Sequence, residues 1–187
     1  MEQLHLITVV GLKRTGKTTV VEALVSELCS RGHAVGTVKT MRHHQLSLDA
    51  SAADTRRHMN AGASVVVAIT PDGTARFEAG APPPSLEDVS RLFPPGIRIL
   101  VSEGAIDTSA PGFVVLCLDD ISGMEEVLRT RGIQKDRVAA ISGKGAAIAG
   151  PSSIPAFDVT DRAQRKALTD LLLTRIAEAE SLAEKGG

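Results

Sequence analysis

Apolar residues follow two rhythms along this chain: short unbroken runs, and longer stretches in which they recur every three or four positions. The first rhythm marks strands buried on both faces, the second helices with one buried stripe. Leu4–Val10 reads as a continuous apolar run and therefore as a buried strand. Over residues 17–30, Val20, Val21, Leu24, Val25 and Leu28 fall on one broad helical face, and Arg31-Gly32 ends the helix. Ala34–Lys39 is a second strand, 40–48 is polar and irregular, and Ala52–Ala61 is helical with Gly62 as its stop. Val65–Ile69 is predicted to be another buried strand; Pro71-Asp72-Gly73 is a turn that makes it a hairpin with Thr74–Glu78.

The same alternation continues. Ala81–Pro84 is a stiff connector into a short helix at Ser85–Leu92, broken by Pro94-Pro95-Gly96. Ile97–Ser102 is a strand ending in Glu103-Gly104, residues 105–112 are a loop, and Phe113–Leu118 is a strand. Gly123–Arg131 is a helix closed by Gly132, Arg137–Ile141 and Ala156–Val159 are the last strands, and Asp161–Leu182 is a long amphipathic helix with Leu168, Leu171, Leu172 and Ile176 turned inward. Strands separated by helices predict an α/β, three-layer fold with a mostly parallel central sheet. No internal repeat or domain boundary stands out, so residues 1–187 read as one domain with a short hairpin excursion at 65–79, either an edge excursion or a dimerising flap.

Composition narrows the function classes. With 187 residues, 43% of them hydrophobic, the chain supports one sizeable core. A formal charge of −1 does not imply a basic surface for nucleic acid, and with no Trp or Tyr and only four Phe a base-stacking platform is not expected. The two cysteines, Cys29 and Cys117, both sit in apolar patterns and are expected as small core residues, which fits a reducing, cytoplasmic compartment. The opening residues lack the basic region and cleavage site expected of a secretory signal, and no stretch approaches membrane length, so no membrane span is expected.

The chemistry is concentrated behind the first strand. Gly11-Leu-Lys-Arg-Thr-Gly16-Lys17-Thr18-Thr19 is a complete G-x-x-x-x-G-K-T loop between a strand and a helix, which points to a nucleotide triphosphate or a similarly phosphorylated ligand. Side chains at Gly11 or Gly16 would keep the backbone off the phosphates. The N–H groups of Arg14 to Thr18 are expected to face the anion, helped by the helix dipole. Lys17 is the mobile cation for the β and γ phosphates, and the Thr18 hydroxyl is the expected magnesium ligand. Thr19 either contacts the α phosphate or caps the first turn.

Further candidates stand at the ends of later strands. In a parallel sheet Lys39 shares the carboxyl edge with the phosphate loop, where ligands bind in open α/β sheets; a solvated surface lysine is the bland alternative. His43 and His44 are substrate contacts or turn caps, and adjacent histidines make a poor metal pair. Asp49 and Asp54 are candidates for a magnesium-bound water or for orienting an attacking water, against helix capping for Asp54. Arg56 and Arg57 either pair with phosphates or form a charged helix surface. Glu103 can hold magnesium through water, or pair with Lys17 or Lys39. Ser142-Gly143-Lys144-Gly145 either approaches a base or is a plain turn. It is not the Asn-Lys-x-Asp that reads guanine. Asp161 reads as a helix cap.

Taken in order, the phosphate loop, Val38-Lys39, His43-His44, Asp49, Asp54-Thr-Arg56-Arg-His58, Ala61-Gly62-Ala63 and Glu103-Gly104 resemble the molybdopterin-guanine dinucleotide biosynthesis protein B family, over roughly residues 5–105 and more loosely to the end. The resemblance implies a P-loop NTPase fold and a homodimer that binds GTP with Mg2+ and hydrolyses it weakly. It also implies a role in attaching GMP to molybdopterin, a step performed by a separate guanylyltransferase. By position, Gly11, Lys13, Arg14, Thr15, Gly16, Lys17, Thr18 and Thr19 would hold the phosphates. Lys39, His43, His44, Asp49, Asp54 and Arg57 would line the crevice, with Lys17, Asp49 and Asp54 as the catalytic set and Thr18, Glu103 and Asp49 around magnesium. The chain departs from the family pattern at Thr40, where a histidine is common, and at Ala50-Ser-Ala-Ala53, where a proline-glycine pair usually precedes the aspartate. ATP in place of GTP stays open. So do two other readings: a small-molecule kinase, for which the 105–135 region offers only Arg129 and Arg131 as lid arginines, and a non-catalytic nucleotide-dependent switch or scaffold.

Overall fold

The structure, a computed structural model, describes residues 4–40, 50–71, 73–78, 85–106, 112–142 and 153–186. In chain order the elements are β1 (His5–Gly11), α1 (Lys17–Ser30), β2 (Val35–Lys39), α2 (Ala50–Asn60), β3 (Val65–Thr70), β4 (Gly73–Glu78) and α3 (Leu86–Ser90). β5 (Ile99–Glu103), β6 (Phe113–Cys117), α4 (Met124–Arg131), β7 (Val138–Ser142), β8 (Ala156–Phe157) and α5 (Arg162–Gly186) follow. Two compact units emerge, residues 1–40 with 86–187, and residues 41–85.

The larger unit is a six-stranded sheet in the order β2-β5-β1-β6-β7-β8, with every neighbouring pair parallel. β1, β5, β6 and β7 are buried on both faces, as their apolar runs require, while β2 and β8 are only partly covered. Ile7 and Val9 of β1, with Val101 and Val115, pack under α1 and α5 through Val20, Leu24, Leu28, Leu168, Leu172 and Ile176. The alternate positions face the other way. Val10, Val114 and Leu116 meet Val127 and Leu128 of α4, while Leu6 and Leu100 meet Val89 of α3. This period-two division builds the three layers.

Helix ends follow their local chemistry. Gly132 takes a left-handed φ of 64° and its N–H closes α4 onto the Arg129 and Leu128 carbonyls. Asp161 caps α5 as its position suggested, accepting the Gln164 N–H at 2.8 Å. Cys29 corrects its expectation. It is exposed, because the buried stripe of α1 runs through Val20, Leu24 and Leu28 and Cys29 lies off it; Cys117 is buried as expected.

In the smaller unit α2 lies against β3, and β3 pairs antiparallel with β4 from Val65↔Glu78 to Thr70↔Gly73, so the expected hairpin forms. The expected burial of Val65–Ile69 does not hold: Val65, Val67 and Ile69 are exposed. These alternate residues share one face of a ribbon of only two strands.

Candidate functional site

β1 delivers its last residue, Gly11, into a space that admits no side chain: an added Cβ would lie 2.3 Å from the Cys117 carbonyl oxygen and 2.6 Å from Thr15 Oγ1. The chain then turns through Arg14, at φ 66°, and Gly16, at φ 83°, before α1 begins at Lys17. A left-handed conformation suits Gly16 but strains an arginine, so the loop carries stored backbone strain at Arg14. Peptide groups whose N–H faces an anion turn their carbonyls outward, and those oxygens need partners. The Leu12 carbonyl accepts from Thr15 Oγ1 at 3.1 Å and from the Lys17 ammonium. The Gly11 carbonyl accepts from Arg131 Nη2 at 3.0 Å. Thr15 is buried and braces the loop from within, while Lys13, Arg14, Thr18 and Thr19 are exposed.

Register brings a second set of groups to the same edge. Glu103, the last residue of β5, lies opposite Val9 on one side and Lys39 on the other. Its Oε2 accepts from Thr18 Oγ1 at 3.0 Å and lies 3.3 Å from Lys39 Nζ. The Lys39 pairing foreseen as an alternative for Glu103 is therefore present, together with a contact to the loop threonine. The backbone beyond is sharply fixed. The Glu103 carbonyl accepts the Thr40 N–H at 3.0 Å, and the Gly104 N–H donates to the Val9 carbonyl at 2.9 Å. Gly104 itself has φ 89°, and a Cβ there would meet Thr40 Oγ1 at 2.2 Å.

Under the loop lies Cys117. Burial pushes its thiol up to about 12, opposed by the charge of Lys17 and reinforced by that of Glu103. It is a space-filling group, not a nucleophile.

His43, His44 and Asp49 lie outside the described residues. Asp54 and Arg57 are exposed and pair with each other at 3.4 Å on α2. Because α2 starts at Ala50, Asp54 is inside the helix, which removes capping as its explanation. Sequence reasoning missed Arg131 as a neighbour of the loop: it reads as an ordinary basic residue in a helix's last turn, and its partner lies 120 positions away.

Thr18 Oγ1 and Glu103 Oε2 are hard oxygen donors side by side. That set fits magnesium, which takes one or two protein oxygens and fills the rest of its octahedron with water and phosphate. Among the described residues no three His, Cys, Asp or Glu side chains gather as metal ligands, and no helix is long and apolar enough to cross a membrane.

Residues 6–128 match the protein family described as Molybdopterin guanine dinucleotide synthesis protein B. The chain is 31% identical over 91 residues to the molybdopterin-guanine dinucleotide biosynthesis adapter protein of Haemophilus influenzae. That match covers 49% of this chain and 51% of the relative, so the chain spans about half the relative's length. The fold is similar to the crystal structure of Bacillus subtilis MobB, with a TM-score of 0.68 at 20% identity over 90% of this chain and 98% of that one. A MobB homologue from Bacillus stearothermophilus gives a TM-score of 0.59 at 22% identity, again over 90% and 98%. These likenesses, with the parallel sheet and its loop, establish the three-layer P-loop NTPase fold.

Proposed function

Because this chain belongs to the molybdopterin guanine dinucleotide synthesis protein B family, we propose that it binds GTP with magnesium at Gly11–Thr19, hydrolyses it slowly, and assists a guanylyltransferase in attaching GMP to molybdopterin. The observation that carries this reading is the convergence of Thr18 and Lys39 on one carboxylate oxygen of Glu103 beside the phosphate loop.

In this reading the N–H groups of Arg14 to Thr18 bind the phosphate oxygens and Lys17 supplies a cation to the terminal phosphates. Thr18 and Glu103 would hold magnesium, which when bound offsets phosphate charge and stabilises the charge that develops during transfer. Lys39 holds the Glu103 carboxylate toward the loop. The roles of His43, His44, Asp49, Asp54 and Arg57 in lining the crevice, and of Asp49 or Asp54 in orienting a water, rest on the sequence resemblance. So does assembly as a homodimer.

The test is calorimetric titration of GTP and of ATP, each with magnesium, followed by turnover with and without molybdopterin. GTP binding at least about tenfold tighter than ATP, a difference of about 1.4 kcal/mol, with slow turnover, is the expected outcome. Equal affinities would remove guanine selectivity. Stoichiometric consumption of nucleotide on adding a metabolite would replace the reading with a kinase, and tight binding without turnover with a switch.

A further inference from the structure

Gly11 is held from two sides. Its Cα faces the Cys117 carbonyl so closely that no Cβ fits, and its own carbonyl oxygen accepts from Arg131 Nη2 at 3.0 Å. The next carbonyl, that of Leu12, is held by groups inside the loop, Thr15 and Lys17. Among the described residues, Arg131 is a brace that comes from elsewhere in the fold.

Its own placement is well determined. Arg131 ends α4, and Gly132 locks the backbone just behind it with two hydrogen bonds to helix carbonyls. One turn earlier, Val127 and Leu128 are buried in the cluster that contains Val10, the residue before Gly11. The arginine therefore stands on a helix packed against the very strand end that starts the loop.

We propose that Arg131 is a positioning residue for the phosphate loop. It keeps the Gly11 carbonyl turned outward, which fixes the first peptide of the loop and aims the following N–H groups at the anion. Its fixed positive charge behind the loop adds to the attraction. The inference deepens the nucleotide-binding reading and rests on it. The family match ends at residue 128, three positions short of this arginine.

The chemistry sets how the effect differs from that of the metal ligands. A brace on the loop backbone acts on phosphate binding itself, so its loss weakens binding by the same factor with and without magnesium. Loss of a metal ligand weakens only the magnesium-dependent part.

The experiment titrates GTP calorimetrically, with magnesium chloride and with EDTA, into the wild-type chain and into Arg131→Met, Arg131→Lys and Arg129→Met. Urea unfolding of each variant is followed in parallel. Arg131→Met is expected to weaken binding about tenfold in both buffers, the scale of one charge-assisted hydrogen bond. Arg131→Lys, which keeps the charge and a donor, should recover most of it. Arg129→Met removes an equal charge from the exposed face of the same helix and should stay within about twofold of wild type. Lowered stability with unchanged affinity in Arg131→Met makes the arginine a structural tie and overturns the proposal. Equal losses in Arg129→Met and Arg131→Met overturn it too, because net charge then explains both. Should Arg131→Met fail to fold, Arg131→Gln decides: a loss of about fivefold or more supports the brace, and affinity within about twofold of wild type overturns it. A wild-type chain that binds no GTP in either buffer brings down the nucleotide reading and this inference together, an outcome distinct from all the others.

Discussion

Gly104→Ala tests whether the turn behind Glu103 is held as tightly as its geometry implies. Gly104 sits at φ 89°, a region that costs an L-residue roughly 1–2 kcal/mol. The added methyl group would start 2.2 Å from Thr40 Oγ1, far inside contact, but 3.7 Å from the Thr40 carbonyl oxygen. Only a hydroxyl stands in the way, and a hydroxyl can rotate aside. Rotation gives up the Thr40 Oγ1 hydrogen bond to the Glu103 carbonyl, a long one at 3.3 Å, worth no more than about 1 kcal/mol. Backbone strain and the lost bond together come to about 1–3 kcal/mol. The chain has no Trp or Tyr, so unfolding in urea is followed by far-ultraviolet circular dichroism. The midpoint should fall with the slope unchanged. In a Thr40→Ala background the overlap is gone, and adding Gly104→Ala should then cost only the strain term, about 1–2 kcal/mol. A single variant within about 0.5 kcal/mol of wild type would refute the left-handed assignment. Complete rescue by Thr40→Ala would show that contact, not backbone conformation, sets the cost.

Other outcomes follow from the site. Lys17→Ala should lower triphosphate affinity by about 100-fold or more while leaving the urea midpoint in place, since Lys17 is only partly buried and bonded within its own loop; unchanged affinity in the calorimeter would remove Lys17 from phosphate binding. Glu103→Gln should weaken GTP binding in magnesium far more than in EDTA, and should change stability by about 1 kcal/mol or less because its partner Lys39 is more than half exposed; equal losses in the two buffers would deny Glu103 a metal role. A thiol reagent at neutral pH should modify Cys29 quickly and Cys117 only after unfolding, counted by mass spectrometry, given their exposure and burial. The Cys117 thiol is raised from 9.0 to about 12 by burial, so between those values the native chain keeps a proton that the unfolded chain has lost. Its contribution to stability is intact below 9 and is lost as the pH climbs through that window. The urea midpoint of Cys117→Ala should fall less steeply there than that of wild type, and identical slopes would contradict the shift.

Much of this was legible because burial writes itself directly into parallel strands. β1, β5 and β6 are apolar on both faces and are visible as unbroken runs, and α1 shows its stripe at Val20, Leu24 and Leu28. The phosphate loop was legible because its glycines answer steric demands that the structure displays at Gly11 and Gly16. Lys39 and Glu103 were each visible as polar ends of apolar strands, but their meeting depends on β2 pairing with β5, and strand order is a property of the whole sheet. Val65–Ile69 misled because an apolar run looks the same in a covered sheet and in a two-stranded ribbon with one face open. Arg131 was invisible for a different reason. Its partner is a backbone carbonyl, which has no residue identity to detect, and it lies far away along the chain.

The position of β1 has a consequence for how the molecule is made. Both of its neighbours, β5 and β6, come from residues 99–103 and 113–117, so every pairing that sets the loop's strand in the sheet is long-range, from His5↔Ile99 to Gly11↔Cys117. A ribosome emits this strand before either partner and leaves it unpaired until residues 99–103 follow, a long exposure for so apolar a segment. A nascent chain halted before residue 99 therefore carries the phosphate-binding signature in its sequence but has neither neighbouring strand against which to seat it.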